Sequence, residues 1–390
     1  MWRHVASNAL TFLVVLTFLL GGVILWGQNT YNAEGPLQEQ ICLRVESGAS
    51  MQEISRRLEA EEAVTSAAIF RIGADYTNKD TELKAGSWLL PAAASMAEIT
   101  DLITRGGAST CGTEIVYRIG VARIEVQVRE LDTATGRYEE KLAFDPTSEE
   151  APPEGYETVR AQSDTRYRMV LTEGATSWQA VEGLKAVDAL TGEVQEVPAE
   201  GSLAPGSYEL RAGADRAGLI ERMQEKQNLI LAAVWESRAD DLPIDSPEEA
   251  LILASIIEKE TGVPEERRKV ASVFANRLEE GMRLQTDPTV IYGVTEGKGP
   301  LGRGLLQSEL RRATPWNTYV IQGLPPTPIA NPGRASIEAA VNPAKTDYIF
   351  FVARTLNPRD GHAFAETLAG HNANVAKFRE LEAQRDREAE

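Results

Sequence analysis

From residue 9 to residue 26 the chain reads ALTFLVVLTFLLGGVILW, uncharged and interrupted by polar groups only at Thr11 and Thr17. A helix of that length spans roughly 27 Å at about 1.5 Å per residue, close to one hydrocarbon core. The pattern then breaks into short amphipathic pieces. Residues 41–45 have strand character. Residues 50–62 predict a helix with Ser50 at its cap, Glu53 three positions on, and Met51, Ile54 and Leu58 on one face. Further helices are expected near 66–76 and 95–105, with a turn at 84–87 leading into Trp88. Residues 114–119 and 123–131 alternate as strands, and 132–136 is a candidate hairpin turn after them. Residues 217–238 read as a long helix, and 347–353 as an apolar strand.

The early pattern recurs. Residues 45–50 (VESGAS) align with 171–176 (LTEGAT), and 83–90 (LKAGSWLL) with 203–210 (LAPGSYEL). In both places a strand enters a glycine turn and a helix, and a Gly-Ser-aromatic step returns. The expected class is therefore α+β: a transmembrane helix, small αβ modules, a β-rich insertion and a C-terminal α+β catalytic domain. The boundaries are set at 1–8 for the N-terminus, 9–27 for the membrane helix and 28–40 for a polar tether. They continue at 41–110 for the first module, 111–165 for the insertion and 166–240 for the second module with its connecting helix. The catalytic domain takes 241–378, and a polar tail 379–390.

Composition narrows the partners. A chain 43% hydrophobic and 25% charged is globular rather than disordered. Its net charge of −18 leaves no basic excess for phosphates, so no nucleic-acid partner is expected. Arg3 precedes the apolar run and Glu34 and Glu39 follow it, which places the N-terminus in the cytoplasm and the body outside. A cleaved signal peptide is the rival, but Gln28-Asn29-Thr30-Tyr31 offers no small-x-small site. Cys42 and Cys111, the two cysteines, are either unrelated buried thiols or a disulfide across the first module. His4, His362 and His371 show no ligand-like spacing with them, so no metal and no cofactor are expected.

The chemistry concentrates in LILASIIEKETGVPEERRKVASVFANRLEEGMRLQTDPTVIYG, residues 251–293. Ser246, Pro247 and Glu249 announce a helix start, and Gly262 and Pro264 a stop. Glu260 ends this helix, extending the stripe of Leu253, Ile256 and Ile257 beside the negative end of the helix dipole. Burial and the dipole both favour its neutral acid, as a proton donor to a glycosidic oxygen requires. Glu258 competes, but lies about 200° around the helix, so the two cannot face one cleft. Gln285, Thr286 and Asp287 form a polar turn, and Trp316, Asn317 and Tyr319 offer further substrate contacts. Asp287 is also the candidate second carboxylate that a hydrolase would need.

These residues resemble the signature of the YceG-like family of endolytic murein transglycosylases. The resemblance implies that Glu260, second glutamate of EKET, is the catalytic acid, and that Gly361-His362-Ala363-Phe364 is the family's late H-x-F element. His362 is then either a substrate contact or the holder of a backbone carbonyl, and Glu258 a supporting group. The resemblance further implies LysM-like modules and lytic cleavage of the MurNAc–GlcNAc bond within nascent strands, leaving 1,6-anhydro ends and limiting strand length. Peptidoglycan glycan strands are the implied partner, with a penicillin-binding polymerase beside them. The implied location is the inner membrane, single-pass, with a periplasmic body. Two alternatives stay open: a muramidase using Glu260 and Asp287, and a non-catalytic peptidoglycan-binding scaffold.

Overall fold

A computed structural model describes residues 2–162 and 164–389. The side chains of residues 2–9, including Arg3 on which the topology argument rests, lie outside the described ones. In chain order the elements are α1 (Trp2–Asn32), β1 (Ile41–Val45), α2 (Met51–Ala60), α3 (Ala67–Tyr76), β2 (Gly86–Leu90) and α4 (Met96–Arg105). Then come β3 (Thr113–Ile119), β4 (Ile124–Asp132), β5 (Arg137–Phe144), α5 (Tyr156–Arg160), β6 (Arg166–Leu171), α6 (Ser177–Lys185), β7 (Leu190–Thr191), β8 (Gly206–Leu210) and β9 (Ala214–Asp215). The C-terminal part holds α7 (Arg216–Glu236), α8 (Pro247–Glu260), α9 (Arg267–Glu279), α10 (Asp287–Thr295), α11 (Gln307–Leu310) and α12 (Arg334–Val341). It ends with β10 (Phe350–Ala353), β11 (His362–Ala365) and α13 (Leu368–Ala389). Five strands form a sheet of order β5-β4-β3-β6-β8. The class is mixed α+β with one N-terminal helix, Leu10–Asn32, long and apolar enough to cross a membrane.

The chain divides into two compact units. The first comprises Met1–Ile115, Gln127–Phe144 and Ala151–Arg166. Its core gathers Leu43, Leu58, Phe70, Leu90, Ile99 and Ile103 from β1, β2 and the three helices around them. Ser50, Ser66 and Ser95 each accept a first-turn N–H and so fix where α2, α3 and α4 begin. Cys42 and Cys111 are disulfide-bonded, which decides between the two readings of that pair.

Residues 28–40 do not form the free tether expected of a polar stretch. Helix α1 runs on to Asn32, and Tyr31 is buried with its hydroxyl donating to Thr100 Oγ1 at 2.9 Å. Leu37 is buried too, and the backbone around it pairs with Ala93. Two isolated apolar side chains in a polar run suffice to dock the segment, because both reach the same core.

The second unit comprises Val116–Val126, Asp145–Glu150 and Tyr167–Glu390. It contains β6, α6 and β8, the counterpart of the β1–α2–β2 arrangement. Strands β1 and β2 pair antiparallel with Leu43 opposite Trp88 and Val45 opposite Gly86. Strands β6 and β8 pair with Met169 opposite Tyr208 and Leu171 opposite Gly206. The aligned positions thus occupy the same register, and Thr176 caps α6 where Ser50 caps α2. The echo in the sequence is one supersecondary unit built twice.

The rest of the second unit packs around α8. Leu253, Ile256 and Ile257 meet Phe274 of α9, Ile337 and Val341 of α12, and Leu284. The strand expected at 347–353 is confined to Phe350–Ala353. The carbonyls of Thr346 and Tyr348 instead accept from the Asn276 amide, and that of Ile349 from Arg277, so this stretch is tied to α9.

Candidate active site

Helix α8 starts as its sequence announces: Ser246 Oγ accepts from Glu249 N, and Pro247 occupies the first turn. Seven of its residues, Ala250 and 252–257, are buried, so the helix is held on most sides up to its last turn. Glu260 is the final helical residue and is half-buried. Its Oε1 accepts a short hydrogen bond from Thr286 Oγ1, and no other hydrogen bond to this carboxyl occurs among the described residues. Oε2 makes no hydrogen bond among the described residues.

Burial raises the Glu260 pKa above the ordinary 4.5. The Thr286 donor and His362 oppose this, the charge of Asp287 adds to it, and Arg277 opposes it again, yet the net direction is upward. A carboxylic acid kept neutral in this way can act as a proton donor near neutral pH.

Thr286 stands at the N-cap of α10, but its side chain caps nothing, because it is turned toward Glu260 instead. Its backbone N–H donates to Thr318 Oγ1 at 3.0 Å, and its carbonyl accepts from Thr289 Oγ1 at 2.7 Å. The Thr289 and Thr318 hydroxyls meet at 2.8 Å. This buried threonine cluster fixes the donor and, through it, the acid. The Thr286 hydroxyl, expected from the sequence to contact substrate, is thus engaged by Glu260.

Asp287 and Tyr319 are brought together, the phenol donating to Asp287 Oδ1 at 2.7 Å. Burial, with the Asp287 hydrogen bond and charge adding to it, pushes the Tyr319 phenol well above its ordinary value. Gln285 is exposed, and its left-handed φ of 49° is unusual for a residue with a side chain. That conformation holds it on the tight turn that presents Thr286.

Asn317 corrects the sequence reading. It is 0% exposed; its Nδ2 donates to the carbonyls of Glu309, Leu310 and Arg312, and its Oδ1 accepts from Tyr319 N. With its amide wholly engaged by backbone, it braces the loop carrying Tyr319 and is not free for a ligand. Trp316 is likewise engaged, donating to Thr327 Oγ1 and packing 5.6 Å from the Tyr292 ring.

His362 holds a carboxylate rather than the backbone carbonyl favoured for it. Its Nδ1 lies 2.6 Å from Glu266 Oε1, and its backbone N–H donates to Glu266 Oε2 at 2.8 Å. Thr261, next to the acid, donates to the same Glu266 at 2.7 Å. Burial pushes the Glu266 carboxyl up, but the hydrogen bonds from Thr261 and His362 outweigh it and leave its pKa below the ordinary value. Gly361 is required here: φ is +70°, and a Cβ would fall 2.3 Å from Glu266 Oε2. Glu258 faces elsewhere, accepting from Gly333 N at 2.9 Å, as the 200° offset from Glu260 dictates.

Arg277 and Glu266 were not singled out from sequence. Arg277 is buried on α9 and sits over the Phe350 ring, with its guanidinium donating to the carbonyls of Leu284 and Ile349. A cation one and two turns beyond Phe274 and Val270 on an apolar helix face was the signal available for it. Among the described residues no cluster of His, Cys, Asp and Glu could hold a metal ion.

A half-buried carboxyl at a helix end, held by a threonine donor, is the candidate proton donor of this site. The chain belongs to the YceG-like family, whose model matches residues 43–377. A protein of Bacillus subtilis (strain 168) named endolytic murein transglycosylase is 37% identical over 182 residues, covering 46% of this chain and 48% of that protein. One of the same name from Streptococcus pneumoniae (serotype 2, strain D39) is 25% identical over 388 residues, covering 96% of this chain and 65% of its own. The matches thus span between about half and two thirds of those relatives. A crystal structure of a YceG-like protein from Listeria monocytogenes aligns with 86% of this chain and 99% of its own, at 24% identity and a TM-score of 0.45.

Proposed function

We propose that this protein is a lytic transglycosylase that cleaves the MurNAc–GlcNAc β-1,4 bond inside peptidoglycan strands. The observation that carries this reading is the Glu260 carboxyl: half-buried, raised in pKa and fixed by one donor at Oε1. The names of its relatives point to the same substrate class. Glu260 donates its proton to the glycosidic oxygen as the C1–O bond breaks. The sugar's C6 hydroxyl then attacks C1 and gives its proton to the Glu260 carboxylate, which regenerates the acid. Products are a 1,6-anhydro end and a new free hydroxyl end, with no water consumed. Arg277 and His362 lie on the side that favours the transient carboxylate, since both draw the Glu260 pKa down.

Tyr319, Asp287 and Gln285 are the proposed substrate-facing groups. The apolar helix α1 supplies a single membrane anchor, with the body on the periplasmic side of the inner membrane. From there the site acts on strands as a polymerase of the penicillin-binding class releases them, limiting their length. The first module and its counterpart in the second unit, as LysM-like modules, would hold the glycan.

Hydrolysis by Glu260 and Asp287 has one observation in its favour: the Asp287 charge is felt at Glu260. Mass spectrometry of the products separates the two. Ends one water lighter than reducing ends are expected, and reducing ends alone would establish the hydrolase.

A further inference from the structure

Helix α1 leaves its apolar stretch at Trp26, which is 61% exposed. None of the membrane-length window is buried within the protein, so these side chains need a lipid environment. Five residues further, about 7.5 Å along the axis, Tyr31 is locked into the first unit. Its hydroxyl donates to Thr100, and its ring lies so close to Gly73 of α3 that a Cβ there would be 2.2 Å from it. A membrane crossed by α1 therefore passes close to α3, with no flexible linker between them.

On α3 two large apolar side chains face solvent, Ile72 at 68% and Tyr76 at 76% exposed. Outside α1 they are the first unit's only exposed large hydrophobics among the described residues. Measured from Gly73, which faces α1, Ile72 stands about 100° to one side and Tyr76 about 60° to the same side. Both thus share one flank of the line along which α1 packs. The Tyr76 hydroxyl has no protein partner among the described residues, and tyrosine with an apolar body and a wet tip suits the headgroup level.

We propose that Ile72 and Tyr76 rest in the lipid headgroup layer beside α1, making the first unit a monotopic extension of the anchor. The inference deepens the membrane-anchor reading and rests on it. Together α1 and this flank fix the tilt of the first unit on the membrane, which one helix alone cannot do.

The test uses the full chain in phosphatidylethanolamine–phosphatidylglycerol vesicles containing lipids with a headgroup-level nitroxide quencher. Because Cys42 and Cys111 are bonded to each other, one introduced cysteine can carry an environment-sensitive fluorophore. Labels are placed singly through Trp26→Cys, Ile72→Cys, Tyr76→Cys and, on the exposed face of α2, Glu53→Cys. Positions 72 and 76 are expected to be quenched at least half as strongly as 26, and 53 hardly at all. Quenching at 26 with 72 and 76 matching 53 would overturn the inference while leaving the anchor intact. Absence of quenching at all four would overturn both. Energy transfer between labels at 76 without lipid quenching would assign the flank to a second copy of the chain and also overturn it.

Discussion

Thr286 donates its hydroxyl proton to the carboxyl of Glu260, although the two are 26 positions apart and Thr286 occupies a helix cap where such hydroxyls ordinarily serve the backbone. The acid is consequently held by a side chain on another helix start, which is itself fixed by Thr289 and Thr318. The bond orients Glu260 and pulls its pKa down against the larger upward effect of burial.

Removing that donor should separate the two effects. Thr286→Val keeps a similar volume but no hydroxyl. Because the Thr286 bond lowers the Glu260 pKa, its loss moves the alkaline limb of the kcat/KM profile to higher pH. Loss of orientation should reduce kcat by roughly 5–30-fold, the equivalent of a net hydrogen bond of about 1–2 kcal/mol. Thr286→Ser should restore both. A pH–rate profile that Thr286→Val leaves in place would show that the bond does not act on the acid.

Stability should depend on pH through Glu260 in a defined direction. Below 4.5, its ordinary value, folded and unfolded chains both hold the proton and the full stability is present. As pH rises, the unfolded chain releases the proton first, and stability falls until the folded-state value is passed. Glu260→Gln removes this loss while retaining an oxygen for Thr286. Melting curves of the parent and Glu260→Gln should therefore coincide most closely near about pH 4 and diverge toward alkaline pH, with the variant the more stable. A gap that does not vary with pH would contradict a raised pKa.

Asn317 and Gln285 should behave oppositely. Asn317→Ala orphans buried backbone groups and should cost about 1–3 kcal/mol, seen as a lower thermal midpoint. The KM of the folded fraction should change little. Gln285→Ala, at an exposed position, should leave the midpoint in place and raise KM roughly fivefold, the value of one hydrogen bond of about 1 kcal/mol. Kinetics and melting curves of both variants check this, and the reverse pattern would exchange their roles.

The contrast between these two residues shows where the sequence stopped being informative. Helix α8 and its terminal carboxylate were legible because an apolar run, a Ser-Pro start and a Gly stop are local signals. The repeated strand–helix–strand unit was legible for the same reason, down to its capping residues. Asn317 was not, since an asparagine in a polar loop looks alike whether its amide meets a ligand or three carbonyls. The pairing of His362 with Glu266 joins residues 96 positions apart, and no local pattern encodes it. Tyr31 and Leu37 were hidden in a polar stretch for the opposite reason: each is a single apolar residue, too sparse to make a periodicity.

Cleavage of purified glycan strands by Glu260→Gln, with bound glycan measured in parallel, bears most directly on the assignment of the acid. Release of 1,6-anhydro fragments should fall by about 10²–10⁴-fold or more, the range for loss of a general acid, while strand binding persists. Fragment release within about threefold of the parent would remove Glu260 as the proton donor.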